Sequence, residues 1–138
     1  MEPTELTDVE IDALHRTELA MEWLRRAHGH LLEFHHGIGH AMDHLDAAEE
    51  LLRESGHADL ADEIRDQHLP RGVIDRGPTP EEGDRWSYDV VETFEAGFLA
   101  DMVGFEARTR DEVAGGKRHV AERRQEREWR ERASRGRT

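Results

Sequence analysis

Cysteine is absent from this chain of 138 residues. Disulfide bonds, thiolate metal ligands and cysteine nucleophiles are therefore excluded. Long apolar runs are absent too, and residues 1–10 are acidic and lack the apolar segment of a signal peptide. The sequence therefore predicts a soluble, cytoplasmic protein that does not enter a membrane.

Catalytic motifs are also missing. The sequence contains no nucleophile, base and acid arranged as in a hydrolase, no phosphate-binding glycine loop and no nucleotide fingerprint. An enzyme built from this chain would have to be a metal enzyme. We therefore expect a non-enzymatic protein.

Positive charge is scarce, because 32 acidic residues face only 19 basic ones and the net charge is -13. Excess Asp and Glu keep a protein soluble when salt screens its charges, and this composition is typical of salt-adapted, halophilic microbes. It predicts a habitat rather than an activity. In ordinary salt we expect self-repulsion to destabilise the fold.

What the sequence does contain is one long amphipathic segment, residues 6–56. Its apolar residues recur every seven positions in three adjacent rows. The rows are Leu24, Leu31, Ile38, Leu45 and Leu52; Leu14, Met21, His28, His35 and Met42; and Ala13, Ala20, Ala27, Phe34, Ala41 and Ala48. Three rows predict a bundle helix with a broad buried face rather than a two-row coiled-coil seam. Thr7 and Glu10 form a capping box at its start, and Gly56 suits a left-handed cap at its end.

A second and a third helix follow. Residues 58–69 predict a short helix that Pro70 ends, and residues 71–84 predict a glycine- and proline-rich loop. Thr79 could cap the third helix, but Gly83 favours a later start at Arg85, capped by Asp84. The apolar positions of this helix, which we expect to be buried, are Val91, Phe94, Phe98, Met102 and Phe105.

These segments predict an all-α fold in which two long helices form an antiparallel hairpin with the short helix between them. A hairpin leaves much of a three-row face uncovered, so we expect two copies to pair as a dimeric four-helix bundle. The predicted organisation is a helical hairpin body, residues 1–116, and an arginine-rich C-terminal helix or tail, residues 117–138.

Histidine is abundant, with seven of the ten between His15 and His44. On a helix His36, His40 and His44 lie at i, i+4 and i+8, and Glu33 is on the same side. Imidazoles at i and i+4 can chelate a divalent ion such as Zn or Fe. Glu33 and His36 resemble the Glu-x-x-His element of ferritin-like di-iron proteins, and a histidine-rich bundle is similar in outline to hemerythrin. The resemblance implies a metal-binding helical bundle. The alternative interpretation is a solvated stripe of histidines, because the seven-residue pattern turns these side chains away from the apolar face.

His28 and His35 belong to an apolar row instead, and a buried imidazole needs a partner. In the predicted hairpin they lie level with residues 101–112, so the plausible partners are Glu95, Asp101 and Glu106. Such pairs either fix the helix register, as a buried polar residue does in a coiled coil, or hold an inward Zn or Fe ion.

The C-terminal tail is basic, with a net charge of +5 for residues 117–138 against -18 for residues 1–116. Arginines could grip phosphates while an aromatic side chain stacks on a base. The residues predicted for such contacts are Arg118, Arg123, Arg124, Arg127, Trp129 and Arg130. Interspersed glutamates equally favour a solvated helix with internal ion pairs, or a basic arm that docks on the acidic body of a partner subunit.

Three functions remain after these exclusions. The first is a non-enzymatic helical protein for oligomerisation or interaction with a protein partner. The second is a metal-binding bundle that uses the histidine-rich segment. The third is a nucleic-acid or ribosome-associated factor that binds through the tail.

Overall fold

The computed structural model describes residues 6–74 and 86–136, which form helices and no strand. The helices are α1 (Asp8–Glu54), α2 (Ala58–Glu63), α3 (Ser87–Phe94), α4 (Ala100–Ala114) and α5 (Val120–Arg135). Wide π-helical turns extend α2 over Ile64–His68 and join α3 to α4 over Glu95–Leu99. The all-helical prediction is confirmed. No helix in the described ranges has the length and apolarity required to span a bilayer.

Helix α1 begins and ends on the predicted signals. The backbone N–H of Glu10 donates to Thr7 Oγ1 at 3.1 Å, and the N–H of Thr7 donates to Glu10 Oε1 at 2.9 Å. Gly56 has a φ of +91°, and the His57 N–H donates to the Leu52 carbonyl at 2.8 Å. The capping box and the left-handed glycine cap are therefore confirmed, because both satisfy backbone groups that the helix ends leave without partners.

The chain divides into two compact units, both of which include part of α1. The first contains residues 1–26 and 97–138, and the second contains residues 27–96. The prediction of a body over residues 1–116 and a tail over residues 117–138 stays a prediction. What the structure adds is that α5 belongs to the same unit as the first part of α1, up to Arg26.

In the second unit, α3 runs antiparallel to α1, since His28 meets Glu95 while the later His35 meets the earlier Ser87. Helix α2 is tied to the end of α1 by Arg53, which donates to Asp62 Oδ1 at 2.9 Å and to Glu49 Oε2 at 3.0 Å. The hydrogen bonds that Arg53 donates, first to Asp62 and then to Glu49, raise the pKa of its guanidinium. Beneath this contact Ala61 and Ile64 of the short helix are buried.

In the first unit, α5 lies antiparallel to the start of α1. Arg124 Nη1 donates to Asp8 Oδ1 at 2.9 Å, and His119 Nδ1 lies 3.3 Å from Glu18 Oε2. The arginine-rich helix thus docks on the acidic first turns of its own chain. Helix α4 ends at Ala114, and the left-handed glycines Gly115 and Gly116, with φ values of +58° and +86°, break the helix before α5.

The third predicted helix begins later than expected. Asp84, the predicted cap, and Thr79, the rejected one, lie outside the described residues. Trp86 is extended, and its N–H donates to the Asp89 carboxylate at 3.1 Å, so α3 starts at Ser87 rather than at Arg85. A carboxylate three residues after the cap position satisfies the backbone here without a capping side chain before the helix.

The same helix changes its buried face at the π-turn. Val91 is buried, but Phe98 and Phe105 are 54% and 48% exposed, so the expectation that they are buried was wrong. A π-turn adds one residue, which rotates the following residues by about 100°. After it Leu99 and Glu106 take the inward positions in place of Phe98 and Phe105, and the partly buried residues include Leu99, Met102, Glu106, Arg110 and Val113.

Only part of the three-row face of α1 is covered within one chain. In the middle row Leu14 and Met21 are buried, while every member of the row from Leu24 to Leu52 stays partly exposed. In the alanine row the residues from Ala13 to Ala41, including Phe34, are exposed. One flank of α1 therefore lacks a cover among the described residues.

The glycines inside α1 have no packing partner to explain them. A Cβ built on Gly29, Gly37 or Gly39 meets no atom of the described chain within 4 Å, and α1 is continuous through all three. The presence of glycine at these three positions is therefore not explained by close packing of a neighbouring helix within the described chain. It is not explained by a break in α1 either. These positions therefore weaken α1 relative to alanine.

We predict that Gly39→Ala raises the free energy of unfolding by about 0.5–1 kcal/mol, because alanine loses less backbone entropy in a helix. Gly56→Ala is the control, and we expect it to lower stability by about 1 kcal/mol, because its left-handed φ strains a Cβ. Urea unfolding of both variants in concentrated salt measures the difference. Destabilisation by Gly39→Ala would show that a neighbour packs against Gly39 in solution.

Candidate functional site

The two inward histidines both contact α3. His28 Nε2 lies 2.6 Å from Glu95 Oε2, and His35 Nδ1 lies 2.7 Å from Ser87 Oγ. The His28 and Glu95 side chains are 25% and 42% exposed, and the ring of Phe94 lies 6.1 Å from that of His28. These hydrogen bonds fix the register of α3 on α1. The opposing residues are 87–95, whereas the sequence predicted 101–112.

Asp101 and Glu106, the other two predicted partners, are occupied differently. Asp101 is exposed. Glu106 accepts two hydrogen bonds from Arg110 Nη1, at 2.7 and 2.6 Å, and these side chains are 16% and 13% exposed. The shift of face at the π-turn explains this contact, because it moves Glu106 inward together with Arg110, one turn later on α4.

The outward histidines remain on the surface. Glu33, His36, His40 and His44 are all exposed. Glu33 lies nearest His30, at 3.6 Å, and the rings of His35 and His36 are 5.6 Å apart. In residues 6–74 and 86–136, no three ligand atoms of the predicted set His28, Glu33, His35, His36, His40 and His44 come close enough to hold one ion. A metal site there stays a prediction.

A group with metal-ligand spacing occurs elsewhere in the described chain. Ligand atoms of Glu18, His119 and Glu122 lie within 4.8 Å of one another. These residues belong to two copies of the pattern His-x-x-Glu. Helix α1 carries His15-x-x-Glu18, and the start of α5 carries His119-x-x-Glu122. Our sequence reasoning followed the dense histidine run and missed this pair. The repeated His-x-x-Glu spacing was the signal that could have found it.

The residues predicted for nucleic acid lie at the start of α5 and along it. Arg124 is paired with Asp8, and Arg130 donates to Glu126 at 2.7 Å, while Trp129 is exposed. Three of the others share an open cavity of about 460 Å³. Its lining is Leu6, Gly116, Lys117, Arg118, Val120, Arg123 and Arg127. Four cationic side chains thus surround one concave surface of an acidic protein.

Comparison of the chain with protein-family models, with curated proteins and with solved structures finds no match.

We predict that His28 and Glu95 are energetically coupled. A double-mutant cycle of His28→Ala and Glu95→Ala should give a coupling energy of about 1 kcal/mol, since the two atoms are within hydrogen-bond distance and partly shielded from water. His30 and Glu33, which are 80% and 79% exposed and 3.6 Å apart, form the matched cycle, and we expect a coupling close to zero. Thermal or urea unfolding measures both. Equal couplings in the two cycles would contradict a specific role for the His28 contact.

Proposed function

We propose that this chain is a non-enzymatic interaction protein of a salt-adapted cytoplasm, and that it acts as a homodimer in which two helical hairpins pack as a four-helix bundle. The observation that carries the proposal is the incomplete cover of α1. Its leucine row is partly exposed over its whole length, and the neighbouring alanine row is exposed from Ala13 to Ala41.

An apolar stripe of this size favours association. Burial of apolar surface gains about 25 cal/mol per Å², and monomeric proteins rarely leave contiguous apolar patches uncovered. Alanine at every seventh position lets another helix approach closely, while Phe34 in the same row supplies a large side chain to bury. Exposed Phe98 and Phe105 on the second long helix add apolar surface.

The occupant that we propose is a second copy of the chain. Helix α1 has 47 residues, so its stripe is about 70 Å long at 1.5 Å per residue. A partner must offer an equally long apolar helix with the same seven-residue repeat, and α1 itself meets that requirement. A two-fold arrangement would pair each row with its own counterpart, which is the usual symmetry of soluble oligomers.

The net charge of each copy determines the salt concentration at which this dimer forms. Each copy carries -13, so two copies repel at low ionic strength. At 1 M salt the screening length falls to about 3 Å, and the apolar contact then decides the outcome. Arg124 already pairs with Asp8 of its own chain, so exchange of the basic helix between subunits is not needed.

We predict that Ala41→Asp shifts the protein toward monomer, because it places a charge on the alanine row of each subunit. Sedimentation is measured in about 2 M salt, where charges are well screened. It should give a dimer for the unaltered chain and a dissociation constant at least about tenfold higher for the variant, equivalent to about 1.4 kcal/mol.

Ala47→Asp is the matched control. Ala47 is also exposed on α1, but it lies in the polar row with His40 and Glu33. The two substitutions change charge and helix propensity equally, so Ala47→Asp should leave the dimer intact. A monomer for the unaltered chain, or equal weakening by both variants, would contradict the proposal.

A second candidate function is nucleic-acid binding, favoured by the cavity at the start of α5. Lys117, Arg118, Arg123 and Arg127 line it, and its volume of about 460 Å³ would admit a phosphate with its sugar. Binding through phosphates weakens as salt rises. The salt response of this function is therefore opposite to that of the homodimer.

We predict for this candidate that Arg127→Gln weakens binding of a fluorescent single-stranded RNA several-fold and reduces the slope of log K against log salt by about one. Arg132→Gln removes the same charge from α5 without touching the cavity, and should have the smaller effect. Fluorescence anisotropy between low and moderate salt measures both. Equal effects would indicate general attraction to the basic helix, and no binding at low salt would remove this candidate.

A further inference from the structure

We propose that Glu18, His119 and Glu122, with His15 beside them, form a binding site for a divalent transition-metal ion that fastens α5 to the start of α1. Two antiparallel helices contribute one His-x-x-Glu pattern each. The histidine of each pattern faces the glutamate of the other, with His119 Nδ1 at 3.3 Å from Glu18 Oε2 and His15 Nδ1 at 3.5 Å from Glu122 Oε2.

These distances fit ligands around an ion better than direct hydrogen bonds. A tetrahedral site with bonds of about 2.0–2.2 Å to nitrogen and oxygen places neighbouring ligand atoms about 3.3–3.6 Å apart. Two histidines of this chain approach a carboxylate much more closely, with His28 at 2.6 Å from Glu95 and His68 at 2.7 Å from Glu63, whereas the exposed pair His30 and Glu33 is 3.6 Å apart. The His15 and His119 contacts are longer than the two short pairs by more than 0.5 Å, since they are 3.5 and 3.3 Å.

His15 supplies an independent observation. Its Nδ1 is shielded from solvent and has no hydrogen-bond partner among the described residues, while the side chain as a whole is 38% exposed. A buried polar atom without a partner loses its hydration without compensation. Coordination of an ion shared with Glu122 would satisfy this atom, and a neutral imidazole nitrogen is a common ligand for Zn²⁺ and similar ions.

The surroundings of the group limit which ion it suits. A cavity of about 60 Å³ borders Glu18 and His119, and its other lining residues include Glu106 but also Arg25 and Arg118. The two arginines offset the negative potential of the carboxylates. Ca²⁺ and Mg²⁺ prefer all-oxygen sites, whereas the imidazole of His119 beside two carboxylates favours ions such as Zn²⁺.

The backbone at His119 is consistent with a position held for its side chain. His119 has a φ of +58°, in the left-handed region, and its carbonyl accepts the first hydrogen bond of α5 from Arg123 at 2.8 Å. The backbone of a non-glycine residue is strained there. A bound ion would offset this strain and keep α5 against α1.

Isothermal titration of the full chain with Zn²⁺ tests the site. The background is tag-free protein with His36→Ala, His40→Ala and His44→Ala, which removes the exposed histidine stripe. We expect one ion per chain in this background. Glu122→Gln and His119→Ala should each weaken binding by at least about tenfold. Glu122→Gln keeps the shape of the side chain, and circular dichroism checks that both variants retain their helices.

Proteolysis supplies a second readout of the same site. Lys117 is the only lysine, so a lysine-specific protease cuts this chain once, two residues before His119. Zn²⁺ should slow that cleavage several-fold in the stripe-free background, because a clamped α5 opens less often. It should not slow cleavage in the Glu122→Gln variant.

Three results would overturn the proposal. They are no Zn²⁺ binding in the stripe-free background, affinity in the Glu122→Gln and His119→Ala variants that is unchanged from that background, and cleavage at Lys117 that does not respond to Zn²⁺. The test concerns ligands within one chain, so its outcome is separate from that of the dimer measurement.

Discussion

The fold depends on a mismatch between the length of α1 and the cover that one chain provides. Helix α1 has 47 residues and an apolar face three rows wide, whereas the continuous run of α3, the π-turn and α4 covers only Ser87–Ala114 and α5 has 16 residues. A helix in water is stabilised mainly by burial of its apolar face, so each uncovered row leaves α1 less stable than full burial would make it. The capping box, the Arg53 contact and the histidine contacts with α3 fix the ends and the register of α1, but they do not cover its flank.

The histidines illustrate how position decides chemistry. His28 and His35 lie on a face that meets another helix, and each makes a short hydrogen bond there. His36, His40 and His44, on the far side of the same helix, are exposed. His15 and His119 face carboxylates at longer distances. Histidine thus has three roles in this chain, depending on which face of a helix carries it. It fixes the register of two helices, it faces solvent, or, on our proposal, it binds a metal ion.

Much of the fold could be predicted from the sequence, because its signals are local. The capping box at Thr7, the cap at Gly56 and the break at Gly115 depend on a few adjacent residues. Contacts between segments were less predictable. The register of α3 on α1 could not be predicted from the length of the segment that joins them. The facing patterns at Glu18 and Glu122 lie about a hundred residues apart in sequence. Their similarity was visible, but their proximity required the fold.

The π-turn at Glu95–Leu99 gives the second long helix a property that substitutions alone would not reveal. Before it, the residues that face inward follow one phase; after it, the phase has moved by one position, so Glu106 rather than Phe105 turns inward. The two phases differ by a single residue of length. Val91, Phe98 and Phe105 are spaced by seven residues, so the same residues wound as an unbroken α-helix would bring Phe98 and Phe105 into line with Val91. Loss of one residue within the turn would instead keep Glu106 in line with Val91. Conversion of the π-turn into an α-helical turn, rather than a change of length, is therefore the event that would exchange an aromatic surface for an ionic one in this helix.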